Sequence, residues 1–191
     1  IYRLDRFIWE LAVQQLAKWQ KEGRDELYIS VNISTKDFQY MDVYQTITSL
    51  VERYGIIPST LKLEITETAI MMGNAGELET IGRFRNYGFE VEIDDFGSGY
   101  SSLNTLKDID VDVLKIDMGF LRTTRSERLE RSMSILNMII SLSKVLGLSV
   151  VTEGVETKEQ VSRLSQMGCG VYQGYYFSKP IPVHEFEERY M

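Results

Sequence analysis

Two adjacent carboxylates lie between a strand-like segment and a glycine-rich turn in the stretch VEIDDFGSGYSSL, residues 91 to 103. Asp94 and Asp95 repel each other, and burying both without a partner is costly. A bound metal ion removes that cost, and so does a position at the surface end of a strand. The turn at residues 97 to 99 has the backbone freedom to approach a phosphate or to gate a site.

Polar side chains recur near the C-terminal end of every strand-like segment. Each one alone has an ordinary explanation, such as a turn, a helix cap or a solvent-exposed position. Their recurrence at intervals near the length of one β–α unit instead predicts that they converge on a single site. The set consists of Asn32, Glu64, Asp94, Asp95, Lys115, Asp117, Glu153 and Gln173.

The oxygen atoms in this set predict a site for Mg²⁺ or Mn²⁺ rather than zinc. The chain has a single cysteine and a single histidine, His184, which lies in the terminal helix-like segment. Neighbouring carboxylates can hold two metal ions about 4 Å apart, an arrangement that activates water against a phosphodiester. Lys115 would orient or deprotonate that water, or neutralise developing charge. We expect Ca²⁺ to occupy the same oxygens without supporting turnover, since its geometry is looser.

Helix-like and strand-like segments alternate along all 191 residues, which predicts a parallel sheet with right-handed crossovers. A doubly wound sheet and a barrel both satisfy this alternation. The segment VNISTKDF after the first strand lacks a glycine fingerprint, which favours a TIM-like (β/α) barrel with its site at the C-terminal ends of the strands. The predicted strands are 27–34, 61–66, 89–96, 111–117, 148–155 and 171–177, and the predicted helices are 3–20, 43–54, 76–87, 101–108, 127–146, 158–168 and 182–190.

Two finer predictions concern packing. The strands are rich in Val, Ile and Leu, which is typical of strands that are covered on both faces. The first helix carries an apolar stripe, which we expect to face the core. The stripe consists of Leu4, Phe7, Ile8, Leu11, Leu16 and Trp19.

Composition limits the function further. The net charge of −7 argues against binding to duplex nucleic acid, which requires a basic surface. Cys169 has no partner for an intrachain disulfide, which fits a reducing cytoplasm. No membrane-spanning run or signal peptide is visible, so we expect a cytoplasmic domain whose parent protein could still be membrane-anchored. The chain does not start with Met, which suggests a piece of a longer protein.

Six segments together resemble, in order and spacing, the EAL domain family of cyclic-di-GMP phosphodiesterases: VNIS, LEITET, DDFGSGYSSL, VDVLKID, VTEGVET and QGYYFSKP. The resemblance covers essentially the whole chain. It implies a TIM-like barrel with one reversed strand. It also implies metal-dependent hydrolysis of cyclic di-GMP to linear pGpG in bacterial second-messenger signalling.

The resemblance also implies roles for individual residues. Lys115 matches the lysine that contacts the catalytic water, and Asp117 and Gln173 match other active-site positions. Glu67 matches the residue that holds the loop at 97–103, which the family uses for substrate and metal binding and for dimer contacts. The loop residues at issue are Gly97, Ser98, Gly99, Tyr100 and Ser101. The matching metal ligands are Asn32, Glu64, Asp94 and Glu153, with Asp95 at the second metal.

One departure from the family pattern is the absence of the Glu-Ala-Leu segment and the two strands at the start of the family domain. We therefore expect residues 1–191 to form a partial EAL-type domain of about six strands. The resemblance further implies a homodimer, and fusion in the parent protein to sensor or GGDEF domains. A catalytically impaired cyclic-di-GMP receptor remains an alternative, and so does another metal-dependent barrel enzyme such as an enolase-type lyase.

Overall fold

The computed structural model describes residues 2–98, 109–121 and 126–191 of the chain, and its centre is one sheet of six parallel strands. Strands that are consecutive in sequence are also neighbours in the sheet. This order is that of a barrel wall, because the order of a doubly wound sheet reverses at a switch point. The predicted six-stranded α/β fold is confirmed, as an open sheet edged by the first and last strands. The strands are β1 (Ile29–Ile33), β2 (Leu61–Thr66), β3 (Glu90–Phe96), β4 (Val113–Ile116), β5 (Ser149–Thr152) and β6 (Val171–Tyr172).

Helices connect these strands at nearly the predicted positions. Two short helices, directly after β1 and β2, were not expected from the sequence, and the helix predicted at 101–108 lies outside the described residues. No helix in the described part of the chain is long and apolar enough to cross a membrane. The helices are α1 (Tyr2–Lys21), α2 (Thr35–Tyr40), α3 (Val43–Tyr54), α4 (Glu67–Met72), α5 (Ala75–Tyr87), α6 (Ser126–Leu146), α7 (Lys158–Gln166) and α8 (Val183–Tyr190).

Local capping explains where several helices begin and end. The Asp42 carboxylate accepts a hydrogen bond from the backbone N–H of Gln45 at the start of α3. The same helix ends at Gly55, whose φ of 68° is left-handed. Asn74 and Glu77 form a reciprocal capping box at the start of α5.

The two faces of the sheet differ sharply in polarity, which corrects the expectation of apolar cover on both sides. Alternate residues of each strand point to opposite faces. One face is buried and apolar, and includes Val31, Ile33, Leu61, Leu63, Ile65, Val91, Ile93, Leu114 and Ile116. The other face carries Ser30, Asn32, Lys62, Glu64, Glu90, Glu92, Asp94, Lys115 and Glu153. The apolar face forms part of the hydrophobic core, and the polar face carries the candidate site residues.

The packing face of α1 agrees with the prediction only in part, because Leu16 and Trp19 are buried as expected but the other four residues are not. Leu4, Phe7, Ile8 and Leu11 are exposed. The buried stripe instead consists of Trp9, Ala12, Val13, Leu16, Ala17 and Trp19. Both sets have helical spacing, so periodicity alone does not decide which one faces the sheet.

Candidate functional site

A buried charge cluster surrounds Lys115 near the C-terminal edge of the polar face. The Lys115 side chain extends from β4, and its Nζ lies 2.5 Å from Glu64 Oε1, 2.8 Å from Glu153 Oε1 and 3.2 Å from Asp94 Oδ1. These carboxylates come from β2, from β3 and from the residue after β5. Side chains on, or directly after, four consecutive strands, β2 to β5, therefore converge at one point on the polar face.

The charges in this cluster are mutually dependent. Burial alone would lower the pKa of Lys115, but its pairing with Glu153 and Glu64 outweighs burial and raises the pKa. Burial raises the pKa of Glu153, and Lys115 acts in the opposite direction. While it pairs with these carboxylates, Lys115 is a cation, which makes it an electrostatic partner for an anion.

A β-bulge explains why two adjacent aspartates can serve one site. Adjacent side chains of a regular strand point to opposite faces. The pairing of β3 with β4 shifts register between Ile93 and Phe96, so that β3 contains one extra residue there. Asp95 has a left-handed φ of 55°, a conformation that aspartate tolerates better than most residues. The bulge brings the carboxylates of Asp94 and Asp95 to the same side, a feature that the sequence reasoning missed.

Three of these carboxylates form a group that could hold a metal ion. One oxygen each from Asp94, Asp95 and Glu153 lies within 4.8 Å of the others. Burial raises the pKa of Asp95, and the charges of Asp94 and Asp117 raise it further. Asp94 Oδ1 is buried and accepts no hydrogen bond, although it lies close to the Lys115 ammonium. A buried carboxylate oxygen that accepts no hydrogen bond, beside two other acidic oxygens, fits a hard divalent cation.

Asn32 and Gln173 lie at the two edge strands, where they are exposed. Asn32 pairs in register with Glu64, and its backbone carbonyl accepts a hydrogen bond of 2.9 Å from the Trp9 indole. Gln173 directly follows β6, and its backbone continues the ladder toward Thr152. The structure therefore places Asn32 next to the cluster and Gln173 at the rim beyond β5.

Glu67 anchors the beginning of the glycine-rich turn. Its Oε2 accepts a hydrogen bond of 3.0 Å from the backbone N–H of Gly97, and its Oε1 is buried without a partner. Gly97 has a φ of 91°, and a Cβ there would lie 2.4 Å from the Phe120 ring. Only glycine suits this position. Ser98 is exposed and donates its backbone N–H to the carbonyl of Asp95.

The remaining predicted residues are divided between the rim and the part of the chain not described. Asp117 is half-buried and caps a short 3-10 turn, Met118–Phe120. Its Oδ1 accepts a hydrogen bond of 2.7 Å from the backbone N–H of Gly119. Asp117 is thus beside the cluster but outside the contacts around Lys115. Gly99, Tyr100 and Ser101 lie outside the described residues.

A second charged group lies on the same polar face and was not singled out from the sequence. Lys62 Nζ lies 2.5 Å from Glu90 Oε1 and 3.5 Å from Glu92 Oε1. Burial raises the pKa of Glu92, while Lys62 acts to lower it. This group could have been found from the sequence, because charged residues occupy every second position in LKLEIT and FEVEIDD. Such alternation indicates that these charged side chains share one face of the sheet.

A cavity of about 160 Å³ adjoins the cluster on its β6 side. Its lining includes Glu153, Met118, Gln173 and Tyr175. It combines a carboxylate, an amide, a thioether and an aromatic ring. This mixture suits a flat, polar organic group next to the acidic site.

Comparison with known proteins relates this geometry to a family. Residues 1–180 match the family model described as EAL domain. The cyclic di-GMP phosphodiesterase RocR of Pseudomonas aeruginosa is 32% identical over 96% of this chain, which spans 47% of RocR. The oxygen sensor protein DosP of Escherichia coli is 35% identical over 97% of the chain, which spans 23% of DosP. The chain thus spans about a quarter to a half of the length of these curated relatives.

A solved structure shares both sequence and fold with the chain. The PaMucR phosphodiesterase in complex with c-di-GMP superposes with a TM-score of 0.88 and 31% sequence identity. The match covers 96% of this chain and 74% of that one. Such a likeness extends over the whole six-stranded sheet rather than one motif.

Proposed function

The chain belongs to the EAL domain family, and on this basis we propose that it is a cyclic-di-GMP phosphodiesterase domain, a hydrolase that converts cyclic di-GMP to linear pGpG. The observation that carries the proposal is the meeting of oxygens from Asp94, Asp95 and Glu153 within 4.8 Å of one another. Water would attack one phosphorus, the bond to one ribose oxygen would break, and that oxygen would take a proton. Because the substrate is cyclic, the new phosphate end and the new hydroxyl end belong to the same linear molecule.

We propose Mg²⁺ or Mn²⁺ as the cofactor, with two ions held by side chains that all offer hard oxygen atoms. Bound ions of this class lower the pKa of a coordinated water and stabilise negative charge on a phosphate. The buried Asp94 Oδ1, which among the described residues accepts no hydrogen bond and has only Lys115 as an ionic partner, supports this assignment. The proposed ligands are Asn32, Glu64, Asp94, Asp95 and Glu153.

The chain's own residues would bind and orient the nucleotide. Lys115 is buried with its ammonium inside the cluster, so it is placed to stabilise negative charge that develops on the phosphate. The cavity beside Glu153 is of a size for part of a guanosine, with Gln173 offering hydrogen bonds and Tyr175 a stacking surface. We assign Asp117 to the rim, where it holds the turn that carries Met118.

The glycine-rich loop is the second contact surface that we propose for the substrate. Glu67 fixes its first residue, Gly97, through the backbone hydrogen bond. Ser98 is exposed at the start of the loop and offers a hydroxyl. We extend the assignment through Gly99, Tyr100 and Ser101 on the resemblance alone.

We further propose a cytoplasmic domain that works as a homodimer within a longer protein carrying sensor or GGDEF domains. The lengths of RocR and DosP, and the sensor function in the name of DosP, support such a parent. Ile135, Met138 and Val145 are exposed on α6 and offer an apolar surface for a contact between copies.

Incubation of the purified full-length protein that carries this chain with cyclic di-GMP tests the proposal, with nucleotides separated by chromatography. We expect linear pGpG to accumulate with Mn²⁺ or Mg²⁺, and no product after chelation or when Ca²⁺ replaces these ions. Calorimetry should still detect binding of Ca²⁺, because it accepts the same oxygen ligands.

The same assay separates an enzyme from a receptor. Binding of cyclic di-GMP without product, at saturating Mg²⁺ and Mn²⁺, would overturn hydrolysis and support the receptor. Absence of both binding and product would contradict the substrate assignment as well.

A further inference from the structure

The second charged group lies in the sheet wall directly next to the proposed metal ligands. Glu92 pairs in register with Glu64, so two carboxylate side chains are neighbours on the same face. Glu92 is only 3% exposed. Its side chain turns toward the row below, where Oε2 accepts a hydrogen bond of 3.2 Å from Ser30 Oγ and Oε1 faces Lys62.

Lys62 is held in this position from several directions. It pairs with Glu90 at 2.5 Å, and its Nζ lies 3.9 Å from the centre of the Tyr28 ring. Only 14% of its side chain is exposed. The Lys62 ammonium is therefore fixed on the polar face of the sheet, where it attracts the Glu92 carboxylate away from Glu64.

Stability alone does not require charged side chains at these positions. A buried ion pair is often no more stabilising than apolar side chains of similar volume. Apolar side chains are accepted on this same face, because Val113 pairs with Glu92 and Val151 pairs with Lys115. A charged pair next to a cluster of carboxylates changes the electrostatic potential at that cluster.

We propose that Lys62 and Glu92 set the affinity of the neighbouring site for divalent cations, with Glu92 raising it and Lys62 lowering it. Both are positioning residues that act through Glu64 and its neighbours. The inference rests on the proposed metal site but not on hydrolysis. Glu92 adds negative charge near the cation. Lys62 offsets that charge and keeps the Glu92 carboxylate turned away from Glu64.

Calorimetric titration of Mn²⁺ into the chain and its variants tests the inference through opposite signs. Glu92→Gln should weaken Mn²⁺ binding by about 10-fold. This is the lower end of the roughly 10- to 100-fold loss of metal affinity that follows mutation of residues supporting metal ligands. Lys62→Gln should tighten binding by several-fold, roughly a reciprocal effect. The double variant should bind more tightly than Glu92→Gln alone. General damage to the fold does not tighten binding, so a merely structural role would not produce this pattern.

Glu90→Gln is the matched control, because Glu90 pairs with the same lysine but is one row farther from Glu64. We expect it to change Mn²⁺ affinity less than Glu92→Gln does. Equal affinities in all variants, or weaker binding in both single variants, would overturn the inference. If Lys62→Gln does not fold, the double variant compared with Glu92→Gln decides the sign. Absence of Mn²⁺ binding in the unaltered chain would instead overturn the proposed metal site.

Discussion

Replacement of Asp94 by asparagine is expected to lower cyclic-di-GMP hydrolysis by more than roughly 100-fold, since even residues that only support metal ligands are worth 10- to 100-fold. Asparagine preserves the shape of the side chain but removes its charge. Asp94 Oδ1 is buried without a hydrogen bond, and it belongs to the group with Asp95 and Glu153. The loss should appear in Mn²⁺ binding by calorimetry as well as in product formation.

Asp110→Asn is the matched control for this variant. Asp110 is largely exposed and pairs at 3.4 Å with Arg85, which is not a residue of the cluster. We expect it to bind Mn²⁺ and form product at unaltered rates. Metal binding and turnover in Asp94→Asn equal to those of the control would remove Asp94 from the site.

Replacement of Lys115 by methionine should produce two separate effects. Turnover should fall by about 100- to 1,000-fold, the typical result of removing one preorganised electrostatic donor. In metal-free buffer the fold should lose about 3–5 kcal/mol, because Glu64, Asp94 and Glu153 lose their shared cation. For a domain of this size, such a loss corresponds to a fall in melting temperature of roughly 6–20 °C.

Added Mn²⁺ distinguishes this account from simple damage to the core. Because a divalent cation neutralises the same carboxylates, Mn²⁺ should raise the melting temperature of Lys115→Met more than that of the unaltered chain. Lys158→Met, at an exposed position at the start of α7, should behave as the unaltered chain does. A metal-insensitive loss of stability in Lys115→Met would contradict a metal site at these carboxylates.

The sequence predicted the strands and the convergence of their polar ends because both depend on local patterns. Period-two alternation and a polar residue per β–α unit locate Glu64, Asp94, Lys115 and Glu153 at one end of a parallel sheet. The sequential strand order then requires that they share an edge. These features follow from chain connectivity and need little knowledge of packing.

Features that depend on tertiary packing were not predicted. The bulge requires a left-handed backbone conformation at Asp95. The residue types in DDFGSG are also compatible with a regular strand followed by a turn, so the sequence did not predict the bulge. On α1, two apolar stripes compete, and only contact with β1 selects the one containing Trp9. The alternation of charged and apolar residues around Lys62 and Glu92 is visible in the sequence. Which of these charged side chains contact each other depends on the register between β2 and β3.

Anomalous diffraction from crystals of the chain grown with Mn²⁺ would locate the metal directly. We expect a manganese peak bounded by the carboxylates of Asp94, Asp95 and Glu153, with Lys115 Nζ displaced from at least one of its three carboxylate partners. Manganese bound elsewhere in the crystal, with Lys115 still paired with Glu64, Asp94 and Glu153, would contradict a metal site at these carboxylates.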